Sequence, residues 1–145
     1  MNTKELQEQI VDNMKRWQKV EDASLASTGK VIQKTGNPVI RLVMEIIQRD
    51  SAMHHRIQQM IIDTMEKEVI TLTPDELGEV WDLVEKHIEL EKKTVELAQE
   101  AIDALKGKKM VVQEYLLEYL MIDEKKHNEI LARLETIKKG MYPYG

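Results

Sequence analysis

A helical period runs through nearly the whole chain and constrains its fold more than any other feature. Apolar side chains recur at steps of three and four in four segments of about thirty residues each. The first, residues 3–34, carries Leu6, Ile10, Met14, Trp17, Glu21, Leu25, Thr28 and Val31 or Ile32 in one stripe. The second, residues 38–69, carries Ile40, Val43, Met44 and Ile47, then Asp50, Ser51 and His54, then Ile57, Ile61 and Met65. In the third, residues 74–106, the stripe is Leu77, Trp81 or Val80, Val84, Ile88, Glu91, Val95, Ala98, Ile102 and Leu105. The fourth, residues 108–139, sets Leu116, Leu117, Leu120, Glu124, His127, Leu131 and Leu134 on one face. Each stripe is therefore apolar at its ends and polar near its middle.

Turn chemistry separates the segments. Gly36 suits a left-handed helix end, Asn37 a helix cap, and Pro38 a first helical position. Thr73, Pro74 and Glu76 form a capping-box pattern, Gly107 closes the third segment, and Gly140 stops the fourth before a short tail, Met141 to Gly145. Helices of that length span roughly 45 Å. Short connections predict that consecutive helices run antiparallel. The expected fold is all-α: an antiparallel up-down-up-down four-helix bundle making one domain over residues 1–145, with the tail at 140–145.

The acids and imidazoles in these stripes need a physical reason. An ionised carboxylate among apolar side chains costs several kcal/mol unless a cation or hydrogen bonds compensate it. The spacing Glu124-x-x-His127 aims a carboxylate and an imidazole at one spot, and a metal ion accepts both. The chain has no cysteine, so disulfides, iron–sulfur clusters and thiolate ligation are excluded. Any metal must be held by Glu, Asp and His.

The net charge of −5, with lysines and acids interspersed, lacks the basic footprint of a nucleic-acid binder. No run approaches the roughly 18 apolar residues of a membrane span, and the first ten residues hold no apolar signal core. A cytoplasmic protein with neither a membrane nor a nucleic-acid partner is expected. With no phenylalanine and 9 methionines, the interior must be filled by Leu, Ile, Val and Met.

The chain also repeats itself. A shift of 73 positions lays Glu45 on Glu118, Asp50 on Asp123, His54 on His127 and Ile57 on Ile130. A shift of 70 lays Asp12 on Asp82, Trp17 on His87, Glu21 on Glu91 and Ile32 on Ile102. The coinciding residues include the acids and histidines of the stripes, so two helix-pair repeats would bring them to one level.

In order, Glu21, His54, Glu91 and Glu124-x-x-His127 resemble the rubrerythrin branch of the ferritin-like superfamily. That resemblance implies a non-haem metal centre, with iron as two ions or one, and with manganese or zinc as alternatives. Glu21, His54, Glu91, Glu124 and His127 would be its ligands, Glu91 and Glu124 bridging or chelating. Ser51 stands where the family's second helix carries a glutamate. Asp50 and Glu45 are the nearby substitutes. Asp50, Asp123 and His87 are candidates for supporting or substitute ligands. The implied activity is that of an oxidoreductase of ferroxidase or peroxidase type. It would act on dioxygen or peroxide with an external electron donor, since no cysteine-rich electron-transfer module is present. Long helices of this kind also pair into homodimers. A different class of function fits the loss of one carboxylate at Ser51: a mononuclear or metal-free bundle with a structural or interaction role.

Overall fold

The computed structural model describes residues 1–140; the tail from Met141 to Gly145 lies outside the described residues. Among the described residues the secondary structure comprises four helices and no strand. No helix among them is long and apolar enough to cross a membrane. The chain divides into two compact units, Met1–Ile70 and Thr71–Gly145, each built on one helix pair.

In the first pair, α1 spans Thr3–Lys34 and α2 spans Pro38–Glu66. Helix α1 starts under a capping box that the apolar period does not reveal. The Asn2 side chain accepts from the Glu5 amide at 2.8 Å, and Glu5 accepts from the Asn2 amide at 3.1 Å. At the turn, Asn37 Oδ1 accepts from the amides of Val39 and Ile40 at 2.9 and 3.1 Å. The Arg41 guanidinium donates to the carbonyls of Ile32 and Thr35, which the end of α1 leaves without amide partners. Farther along, Gln18 Nε2 donates to the His55 carbonyl and to Gln59 Oε1. The buried residues of this pair are Val11, Glu21, Thr28, Ser51, Gln58 and Ile62.

Helix α2 ends three residues before position 69. The amides of Lys67 and Glu68 both turn back to the Asp63 carbonyl, and the β-branched run Val69, Ile70, Thr71 continues outside the helix. Such residues lose side-chain freedom in a helix, and Val69 is fully open to solvent, so no packing offsets that loss.

The second pair consists of α3, Pro74–Ala104, and α4, Val111–Gly140. Thr73 and Glu76 complete the capping box in both directions. Leu77, Trp81, Glu91 and Ala98 are buried, which settles Trp81 over Val80 in the stripe. After α3, Gly107 takes φ 76°, a left-handed conformation that favours glycine, and α4 begins at Val111 rather than at 108. Lys108 and Lys109 would place positive charge at the positive end of the helix dipole, which disfavours an earlier start.

Two readings of helix phase are corrected. In α4 the buried residue is Met121, 6% exposed, whereas Leu120 is 48% exposed. In α1 and α2, Leu6, Trp17 and Ile57 stand half open, while Val11 and Gln58 point inward. One helix packed on another buries a narrow strip, so an apolar stripe of ordinary width is covered only along one edge. Near the end of α4 the Lys138 ammonium sits 5.0 Å from the centre of the Trp81 ring.

Candidate metal centre

Helix α3 presents His87, Glu91 and Thr94 at successive turns of one face, and α4 presents Asp123, Glu124 and His127. One ligand atom each from Glu91, Glu124 and His127 lie within 4.8 Å of one another. Glu91 is the buried member, 8% exposed. Its Oε1 receives His87 Nε2 at 2.9 Å and lies 3.5 Å from His127 Nδ1. Its Oε2 is shut off from solvent with no hydrogen-bond partner. Glu124 Oε2 accepts from the Thr94 hydroxyl at 2.7 Å and lies 3.8 Å from His127 Nδ1. Thr94 also lies 2.6 Å from the Glu91 carbonyl. Its single proton serves one acceptor at a time, and the charged carboxylate is the stronger. On the far side of the imidazole, Asp123 Oδ2 lies 3.5 Å from His127 Nε2, while Asp123 Oδ1 holds Lys126 at 2.9 Å. With a cation between Glu91 and Glu124, the Asp123 carboxylate beside Nε2 would hold the ring proton there and leave the Nδ1 lone pair for the ion.

The Glu91 carboxyl is held below the ordinary carboxylate value. The largest cause is the neighbouring Glu124 carboxyl, which donates to Glu91 when it holds a proton. Burial opposes the shift, and His87 and His127 assist it. A cation between two carboxylates this close would relieve their mutual repulsion. His87, Glu91, His127, Ile130 and Leu131 line an open groove of about 280 Å³.

The first pair repeats the frame with other chemistry. Glu21, 7% exposed, accepts from the Trp17 indole at 3.1 Å through Oε1, and His54 Nδ1 lies 3.4 Å from the same atom. Ser51, 5% exposed, donates to Ser24 Oγ at 3.0 Å. It lies inside the pair, satisfied by another serine. Asp50 forms no ion pair with an imidazole among the described residues, unlike its counterpart Asp123. His55 is less exposed than His54, and its Nε2 lies 3.6 Å from Asp22 Oδ1. A groove of about 240 Å³ opens here too, lined by Met14, Trp17, His54, Ile57, Gln58 and Ile61.

The structure thus brings Glu91, Glu124 and His127 together with Asp123 and His87 beside them, and brings Glu21 to His54. The buried acids carry half-exposed imidazoles at their rim, in place of the wholly dry cluster that the stripes imply. Thr94 and Ser24 were missed, although each lies three residues beyond a buried glutamate on the same face. A hydroxyl carries no charge and gives little signal in a sequence.

Compared with known protein families, with curated proteins and with solved structures, the chain matches none.

Proposed function

We propose that this chain is a carboxylate–histidine metal protein whose ion is held in the second helix pair by Glu91, Glu124 and His127. The observation that carries the reading is the buried Glu91 Oε2, a carboxylate oxygen that no amide, imidazole or alcohol group reaches, beside a second carboxylate. A divalent cation satisfies both acids and accepts the His127 lone pair. A set of oxygen and imidazole donors without sulfur suits iron, manganese or zinc. Bound iron or manganese would supply one-electron chemistry toward dioxygen or peroxide, and zinc a Lewis acid.

The residues around the ion have separate tasks. Glu91 and Glu124 supply charge, Asp123 sets the His127 tautomer, and Thr94 fixes the Glu124 carboxylate with a hydroxyl proton. The groove lined by His87 and His127 admits a small molecule to Glu91. Four long helices and the matched positions of Glu21, His54, Glu91, Glu124 and His127 support a ferritin-like bundle of rubrerythrin type. In that form Glu21 and His54 also ligate, and two ions bind per chain.

Metal analysis of protein loaded with ferrous iron under exclusion of oxygen tests both statements. One ion per chain supports the second-pair site, and two support the rubrerythrin form. No stoichiometric metal, with Glu124→Ala unchanged in thermal stability, refutes the metal reading.

One observation favours a second reading, a helical interaction module. Leu83, Leu90 and Leu97 stand exposed at seven-residue spacing along α3, the seam pattern of paired helices. A chain that takes up no metal but associates in light scattering, and is monomeric as Leu90→Glu, would support it.

A further inference from the structure

We infer that His87 is a fourth ligand, so that α3 and α4 each give one imidazole and one carboxylate to a single divalent ion. The inference rests on the metal reading above and adds to it a residue outside the Glu-x-x-His pattern.

Glu91, Glu124 and His127 each offer an atom within 4.8 Å of the others, and His87 stands beside them, in contact with Glu91. Nitrogen and oxygen donors bind zinc-like ions at about 2.0–2.1 Å. Neighbouring ligands are then about 3.3 Å apart in a tetrahedron and about 2.9 Å apart in an octahedron, by geometry from the same bond length. His87 Nε2 to Glu91 Oε1 is 2.9 Å, His127 Nδ1 to Glu91 Oε1 is 3.5 Å, and His127 Nδ1 to Glu124 Oε2 is 3.8 Å. Glu91 thus stands near ligand separation from each imidazole, while His87 lies outside the group of mutually close donors and, being half exposed, swings toward it when the ion binds. The Glu91 oxygen without a partner is the independent sign that something positive belongs among them.

The repeat inside the chain supplies a second argument. Trp17 occupies the place of His87, and its indole nitrogen can only donate, so it satisfies a carboxylate but has no lone pair to coordinate a metal ion. The donor-only ring goes with the pair that has a serine at position 51. The ring with a lone pair goes with the pair that has a second carboxylate at position 124. The two differences fall together, as they would if both belonged to one ligand set.

Charge and protons also balance. Two carboxylates neutralise a divalent ion, and two neutral imidazoles add donors without adding charge. To ligate through Nε2, His87 must carry its ring proton on Nδ1, and its side chain is 56% exposed, so water can exchange that proton. Four donors fill the sphere of a tetrahedral ion and leave two positions of an octahedral one.

Cobalt(II) is the probe, because tetrahedral and octahedral cobalt differ strongly in visible absorption. Metal-free full-length chain is titrated as wild type, His87→Ala and His87→Cys. The wild type is expected to take one equivalent with intense tetrahedral bands. His87→Ala should bind at least tenfold more weakly, with the bands replaced by a weak, more highly hydrated pattern. His87→Cys should develop a sulfur-to-cobalt charge-transfer band, in a chain with no other cysteine. No uptake by the wild type refutes the metal site itself, and this inference with it. Normal uptake by wild type without a charge-transfer band in His87→Cys overturns the fourth ligand alone. That holds even if His87→Ala binds weakly, since His87 would then act only by positioning Glu91.

Discussion

The two helix pairs place the same frame around different chemistry. Glu21 and Glu91 are both buried, His54 and His127 both approach them, and a hydroxyl lies one turn beyond each. In the first pair the Trp17 indole and the His54 ring both meet one oxygen of a single buried acid, Glu21 Oε1, and no oxygen of that acid is both shut off from solvent and unpartnered. The pair's second position is a serine bonded to a serine. The second pair adds a carboxylate at Glu124, and the accounting no longer closes, because Glu91 keeps an oxygen without a donor. The comparison teaches that the demand for a cation comes from the second acid, and a buried glutamate beside a histidine does not by itself create it.

Four experiments break or sharpen this contrast. Glu124→Ser copies the first pair into the second and should abolish stoichiometric metal uptake. The stabilisation that metal confers, about 2.7 kcal/mol when metal is present at a hundredfold over Kd, should vanish from thermal melts. In metal-free protein the same change should have a small effect, because relief of the crowding between two acids offsets the Glu91 and Thr94 contacts that it removes. A large loss there would count against the contrast. Ser51→Glu runs the other way. It should raise uptake by one ion per chain, held more weakly than in the second pair because Trp17 offers no lone pair. Unchanged stoichiometry in a folded variant would show that the frame alone is insufficient.

The third experiment is an acid titration of metal-free protein. Glu91 titrates below its ordinary value of 4.5, so its contribution to stability is complete above that value. It is lost as pH falls through the lowered one. Glu91→Gln should therefore flatten the acid limb of stability measured by urea unfolding, and an unchanged limb would contradict the assignment. The smallest effect is expected for Trp17→Phe, which removes the donor to Glu21. A bond to a charged acceptor at a half-exposed site is worth about 1 kcal/mol, and metal binding should not change.

The sequence reveals the helices better than it reveals which edge of each stripe is covered. Caps at Asn37 and Thr73 are local chemistry, set by residues within three positions, and the structure has both. The capping box from Asn2 to Glu5 was equally local and was passed over among polar neighbours. Burial of Met121 in place of Leu120 depends on the partner helix, and a period of three and four does not resolve a shift of one residue. The acids of the site were legible because charge in an apolar stripe is costly. The hydroxyls that hold them, Thr94 and Ser24, were not, since threonine and serine fit a helix face with or without a task.

The placement of the two indoles has a practical consequence. Trp17 lies beside the acid of the first pair, and Trp81 lies under the Lys138 ammonium in the second. With one fluorophore in each half, and each in a different electrostatic setting, single-tryptophan variants give every half its own optical signal. Melting of one half can then be followed separately from the other, and whether they come apart together or in sequence becomes a matter of overlaying two curves.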